Sequence, residues 1–198
     1  MPESALGLRE RKKLKTRAAL AKEAMRLFMK QGFAETTIEE IADAAEVSPS
    51  TFFNYFASKE DLILQDDLDP VIIAAFNAQP PELGPIAALR AAMNSTFSAI
   101  SPEEMAMVRQ RTALVQRDPD VRAAMLSQFA GMVEQIAEVL APRTGRPSTD
   151  FAVRNLAGAV VGVLMSSVLA AESDRESDLT KLADAALAHL EAGLPLGD

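Results

Sequence analysis

Residues 36–62 read TTIEEIADAAEVSPSTFFNYFASKEDL, two short helices and the opening of a third, each with its own start signal. Thr37 followed three residues later by Glu40 is a capping box, in which hydroxyl and carboxylate each satisfy an N–H of the first turn. Ile38, Ile41, Ala42 and Ala45 then recur at helical spacing on one face. Val47 ends the turn, and Ser48-Pro49 restarts a helix with a capping hydroxyl and a proline at its first position. Phe52 and Phe56, four apart, form the inward face of this second helix, and Ser58 with Asp61 caps a third. Two short helices joined by a tight turn, the second aromatic inside and polar outside, predict a helix-turn-helix whose second helix enters the major groove.

The run GFAETTIEEIADAAEVSPSTFFNYFASKEDL, residues 32–62, closely resembles the DNA-binding signature of TetR-type (tetracycline-repressor-like) transcriptional regulators. The rest of the chain matches that family in length and helical pattern. Thr51, Tyr55 and Lys59 fit the signature, whereas Phe53 stands where the family most often has Tyr, so a phenol contact to phosphate is missing there. On this reading Pro49, Ser50, Thr51, Phe53 and Asn54 face the groove. Asn54 suits an adenine edge, while Phe53 and the Thr51 methyl suit thymine methyls. Tyr55, Lys59, Thr37 and a basic arm are expected to position phosphates.

The net charge of −8 is unevenly divided. Residues 1–60 hold ten Lys or Arg against nine Asp or Glu, and residues 61–198 hold ten against nineteen. Nine of the bases fall between Arg9 and Lys30, where Glu10 and Glu23 are the only acids. A basic arm and first helix beside an acidic body is the asymmetry of a DNA-binding head at 1–60 on a body at 61–198. The chain has no Cys, which excludes disulfides, thiolate metal sites and Cys nucleophiles. MPESALGLRERKK has no apolar run of the kind found in secretory signals, so a cytoplasmic location is expected.

The first helix is predicted over about Arg11–Gln31, with Leu20, Ala21, Ala24, Leu27 and Phe28 as its stripe and Gly32-Phe33 as a Schellman stop. Asp66, Asp67 and Asp69 precede Pro70, but the run lacks the glycine a calcium loop needs, so Asp69 is read as the cap of a helix restarting at Pro70. Asn77–Pro85 is the clearest linker. Helices are then expected over 86–100, 101–116, 120–140, 150–171 and from Ser177 to Gly193, about nine in all. No period-2 alternation occurs anywhere. The chain is predicted to be all-α, an N-terminal three-helix head plus a larger C-terminal bundle.

From Leu156 to Ala171 no residue is charged, a stretch too short for a confident membrane span. Gly158, Gly162 and Ser166 recur every fourth residue there, leaving a face that a neighbouring helix can approach closely. Leu182, Leu187 and Leu190 belong to the stripe of the last helix. The resemblance implies a homodimer, because TetR-type proteins pair their last two long helices in a four-helix bundle, and these six residues are the expected contact.

In the middle helices Met93, Phe97, Met125 and Phe129 belong to a deformable apolar set suited to a ligand. Arg109, Arg111 and Gln116 interrupt an otherwise apolar helix, and the spacing of the two arginines allows at most one to point inward. Two runs, FFNYFASKEDLILQDD and QRTALVQRDPDVR, resemble the TetR subgroup with acyl-CoA-like effectors. An enzyme is not indicated: His189 is the only histidine, and no phosphate-binding, metal-binding or nucleophile motif is present, so neither cofactor nor metal is expected. An all-α adaptor, or a ligand-binding bundle without a DNA role, would account for the body but leave the basic arm and head unexplained. Salt-dependent binding to duplex DNA separates these readings.

Overall fold

The computed structural model describes residues 7–64, 68–170 and 179–196, and those residues form eleven helices and no strand. The chain divides into two compact units, Met1–Asp66 with Asp118–Val121, and Asp67–Arg117 with Arg122–Asp198. The division thus falls after Asp66 rather than after Glu60. The reason is α4 (Asp61–Leu64), which packs on α1 (Leu8–Gln31) and buries Leu62 and Ile63.

In the first unit α1 starts at Leu8 and stops at Gly32, whose φ of 93° and ψ of 157° suit only a residue without a Cβ. The Gly32 N–H donates to Phe28 O, and the Phe28 and Phe33 rings meet at 5.0 Å across this stop. The apolar contact expected of a Schellman stop is therefore present, although the glycine is extended in ψ rather than left-handed helical. Leu20, Ala24, Phe28, Ile41, Phe52 and Phe56 are buried and form the core on which α2 (Ile38–Ala44) and α3 (Pro49–Phe53) rest.

The second unit is a helical bundle. α10 (Phe151–Ala170) packs against α9 (Phe129–Thr144) and α11 (Leu179–Glu191), and α6 (Pro85–Ala99) packs against α5 (Asp69–Asn77) and α11. Its core includes Phe76, Leu89, Ala92, Leu140, Val160 and Leu187. Capping residues set the starts. Ser101 and Glu104 close a capping box at α7 (Pro102–Arg117), and Asp150 accepts from the Ala152 and Val153 N–H groups; in the segment counted with the first unit, Asp118 accepts from those of Asp120 and Val121.

Two expectations need correction. The helix expected over 120–140 is two, α8 (Pro119–Ser127) and α9. At the break Ser127 Oγ donates back to Ala124 O, and the Gln128 N–H is shared between Ala124 O and Met125 O, which tightens the last turn. Asp69 is not the cap of α5 but its first helical residue, because the chain is already helical at Leu68. Asn77–Pro85 connects α5 to α6, as its composition predicts, and it is held in place. The Arg143 guanidinium donates to Phe76 O, Gln79 O, Pro80 O and Leu83 O and lies 4.9 Å from the Phe76 ring, binding the segment to the end of α9. No pattern announces that contact, since donor and acceptors are some sixty residues apart. Asp66, Asp67 and the expected helix start at Ser177 lie outside the described residues.

Candidate nucleic-acid interface

The capping box at α2 is present in full: Glu40 N–H donates to Thr37 Oγ1, and the Thr37 N–H donates to Glu40 Oε2 at 2.9 Å. That backbone N–H, with smaller help from the Thr37 hydroxyl and Gln31, holds the Glu40 carboxyl below its ordinary range. Gln31 Nε2 also donates to Glu40 Oε2, tying the end of α1 to the start of α2.

Between α2 and α3 the backbone makes a Schellman turn. Val47 N–H donates to Ala42 O, Glu46 N–H donates to Asp43 O, and Glu46 has φ 57°. A glutamate in this left-handed position was missed by sequence pattern, which marks such turns by glycine or asparagine. Ser48 then caps α3. Its Oγ accepts from the Thr51 N–H and lies 2.9 Å from both Ser50 Oγ and Thr51 Oγ1.

The two faces of α3 differ sharply. Phe52 is fully buried and Phe56, just past the helix, is nearly so. Their rings are 5.8 Å apart, and the Arg17 guanidinium lies 4.7 Å from the Phe56 ring. Pro49, Ser50, Phe53 and Asn54 are exposed, Phe53 to 56%, whereas Thr51 and Tyr55 are half-buried. Asn54 is the C-cap residue, still in helical conformation, so its side chain continues the outward face.

Two residues expected on phosphates are engaged within the head. Thr37 spends its N–H and hydroxyl on Glu40. Lys59 Nζ donates to Phe33 O at 2.6 Å and Thr36 O at 2.9 Å, and lies 4.2 Å from the Phe33 ring. On α1, Arg9, Lys12, Lys13, Lys15, Lys22 and Lys30 are exposed, while Arg26 pairs with Glu23.

The residues nominated in the body fall in several environments. Arg109 is exposed, whereas Arg111 is half-buried with Nε and Nη1 inside. Gln116 Nε2 donates to Val168 O of α10 at 2.7 Å. Met93 and Phe97 are half-buried, Met125 is buried, and Phe129 is partly exposed. For the expected dimer contact, Leu187 is wholly buried in the protomer core and cannot present its side chain to a partner. A stripe pattern does not tell which of two neighbours it meets. Leu182 and Leu190 are half-buried, and Leu190 packs on the same core. A Cβ built on Gly158 or Gly162 meets nothing within 4 Å, and Ser166 is exposed, so that face of α10 is open in the protomer. α10 is long and apolar enough to cross a membrane by length and composition alone, and 28% of its 18-residue apolar window is buried in the protomer.

Comparison with known proteins agrees with this arrangement. Residues 20–65 match the family described as bacterial regulatory proteins, tetR family, and residues 83–195 match the MftR C-terminal domain. The HTH-type transcriptional regulator TcmR of Streptomyces glaucescens is 36% identical over 173 residues, covering 78% of this chain and 75% of that protein. The putative mycofactocin biosynthesis transcriptional regulator MftR of Mycobacterium tuberculosis is 28% identical, covering 86% and 87%. Among solved structures, the Thermus thermophilus FadR repressor in complex with lauroyl-CoA superposes with a TM-score of 0.54 at 25% identity, covering 92% of this chain and 96% of that one.

Proposed function

The chain belongs to the TetR family of bacterial transcriptional regulators, and on that premise we propose that it is an effector-released repressor binding a two-fold-symmetric operator as a homodimer in the cytoplasm. The observation that carries the DNA-binding reading is the outward face of α3, where Pro49, Ser50, Phe53 and Asn54 stand exposed on a helix anchored by buried Phe52. Asn54 pairs with an adenine edge, Ser50, Thr51 and Tyr55 lie beside it, and the exposed lysines of α1 neutralise phosphates. The partner protomer covers the open face of α10 at Gly158, Gly162 and Ser166, with Leu182 and Leu190 flanking it.

The effector binds the second unit and is elongated and mostly apolar with an anionic end, an acyl-CoA thioester being the first class to test. Support comes from half-buried Met93, Phe97 and Arg111 and from the lauroyl-CoA held by the FadR neighbour.

Selection of duplexes from a random library, followed by titration in salt, tests the first part. Asn54→Ala is expected to lose about 1–3 kcal/mol on the selected sequence and to relax preference at one base position. Unaltered base preference in Asn54→Ala removes its reading role. Lauroyl-CoA is expected to weaken operator binding by a coupling of about 1–3 kcal/mol, with the operator weakening lauroyl-CoA binding equally. Equal operator affinity with and without it rejects this effector class, and planar aromatic compounds are tested next.

A further inference from the structure

We propose that the Thr96 hydroxyl is a hydrogen-bonding anchor, inside the second unit, for a neutral oxygen function on an otherwise apolar ligand, either the carbonyl of an acyl thioester or a hydroxyl. The inference rests on the effector reading above and names the part of the effector that α6 holds.

Thr96 is 5% exposed, and its Oγ1 is shut off from solvent with no hydrogen-bond partner among the described residues. A buried hydroxyl in that state opposes folding, so its presence needs a reason. Other helical hydroxyls of the chain bond back to their own helix. Thr16 donates to Lys12 O, Thr112 to Val108 O and Ser167 to Val163 O, each acceptor four residues earlier. For Thr96 the equivalent acceptor is Ala92 O, which receives the Ser95 hydroxyl at 2.9 Å besides the helical N–H of Thr96 itself. Both lone pairs of that carbonyl are then used, and the Thr96 hydroxyl is left to donate and accept elsewhere.

Its setting on α6 is apolar. Thr96 continues the buried stripe of Ala88, Leu89 and Ala92, with half-buried Met93 and Phe97 beside it. That stripe carries no charged residue, so a neutral carbonyl or hydroxyl fits there and an ionised group does not. Met93, Met132 and Met165 pack against the same core, and unbranched methionines re-pack to admit a guest.

Calorimetry on the full-length protein tests this with two ligand pairs that differ in the oxygen function. One is lauroyl-CoA against S-dodecyl-CoA, in which a methylene replaces the thioester carbonyl, and the other is phenol against toluene. Thr96→Val keeps the side-chain shape. It is expected to lower the affinity ratio of at least one pair about fivefold, the worth of one hydrogen bond, while Thr96→Ser keeps the ratio. A fall in the first pair identifies a carbonyl, and a fall in the second a hydroxyl. The thermal midpoint of Thr96→Val is expected to stay level or rise, because no bond within the protomer is lost. A lower midpoint assigns the hydroxyl to the fold and overturns the proposal, as do ratios that Thr96→Val leaves unchanged in both pairs. If the wild type binds neither CoA compound, the acyl-CoA reading fails by itself and the phenol–toluene pair decides. Binding of none of the four compounds overturns the proposal as well.

Discussion

Lys59 Nζ lies 2.6 Å from the carbonyl oxygen of Phe33 and 4.2 Å from the centroid of the same residue's ring. Together with its bond to Thr36 O, this makes Lys59 a clamp on the turn between α1 and α2 rather than a free charge. Lys59→Met is therefore expected to cost the head about 1–3 kcal/mol in denaturant unfolding, by removing the charged donor from Phe33 O and Thr36 O. The slope of DNA affinity against salt should stay the same. For Lys12→Ala or Lys13→Ala the reverse is expected, unchanged stability and a slope reduced by about one charge each. A flattened slope in Lys59→Met without loss of stability would return it to a phosphate.

Glu46 holds φ 57° in the turn between α2 and α3, where a Cβ is disfavoured. Glu46→Gly relieves that strain and is expected to stabilise the head by about 0.5–1 kcal/mol, the left-handed penalty less the added entropy of the unfolded glycine. Glu46→Ala, which keeps the Cβ, should gain nothing. A lower unfolding midpoint for Glu46→Gly would show that the glutamate side chain stabilises the turn.

Gly162→Leu separates the protomer from its assembly. The open space at Gly162 means that the protomer should accept the side chain, whereas a partner helix packed there meets overpacking of about 1–3 kcal/mol. Sedimentation is expected to show a weakened or rearranged dimer with helical content intact. An unchanged dimer places the contact on another face, and a monomeric wild type removes the pairing altogether.

Arg90 on α6 joins Asp184 at 3.0 Å and Glu191 at 2.9 Å on α11, and Asn94 also donates to Asp184. The Arg90 bond is the main cause that holds the Asp184 carboxyl below its ordinary 3.8, Asn94 assisting against desolvation. A carboxyl depressed in the folded state contributes stability that is present above the unfolded value and lost as pH falls through the folded one. Unfolding free energy should therefore fall as pH drops below about 4, and less steeply in Asp184→Asn. With side chains roughly 30% exposed, the pair contributes on the order of 1 kcal/mol at neutral pH. Identical acid profiles for wild type and Asp184→Asn would assign the acid sensitivity to other carboxylates.

What the sequence determined by itself was local. Capping boxes at Thr37 and Ser101, caps at Ser48 and Asp118 and the inward pair Phe52 and Phe56 depend on residues within four positions of one another, so their spacing alone specifies them. The all-α class and the head were legible for that reason. Tertiary structure decided whatever depends on residues far apart. Lys59 looked like a surface cation until the chain brought Phe33 and Thr36 under it, and Leu187 belonged equally well to a dimer stripe until the protomer core enclosed it. Arg143 carried no signal at all, because its acceptors are backbone carbonyls, which every residue possesses. Periodicity states that a face is apolar, or that a side chain is charged, but the neighbour it meets is chosen by packing between segments remote in sequence.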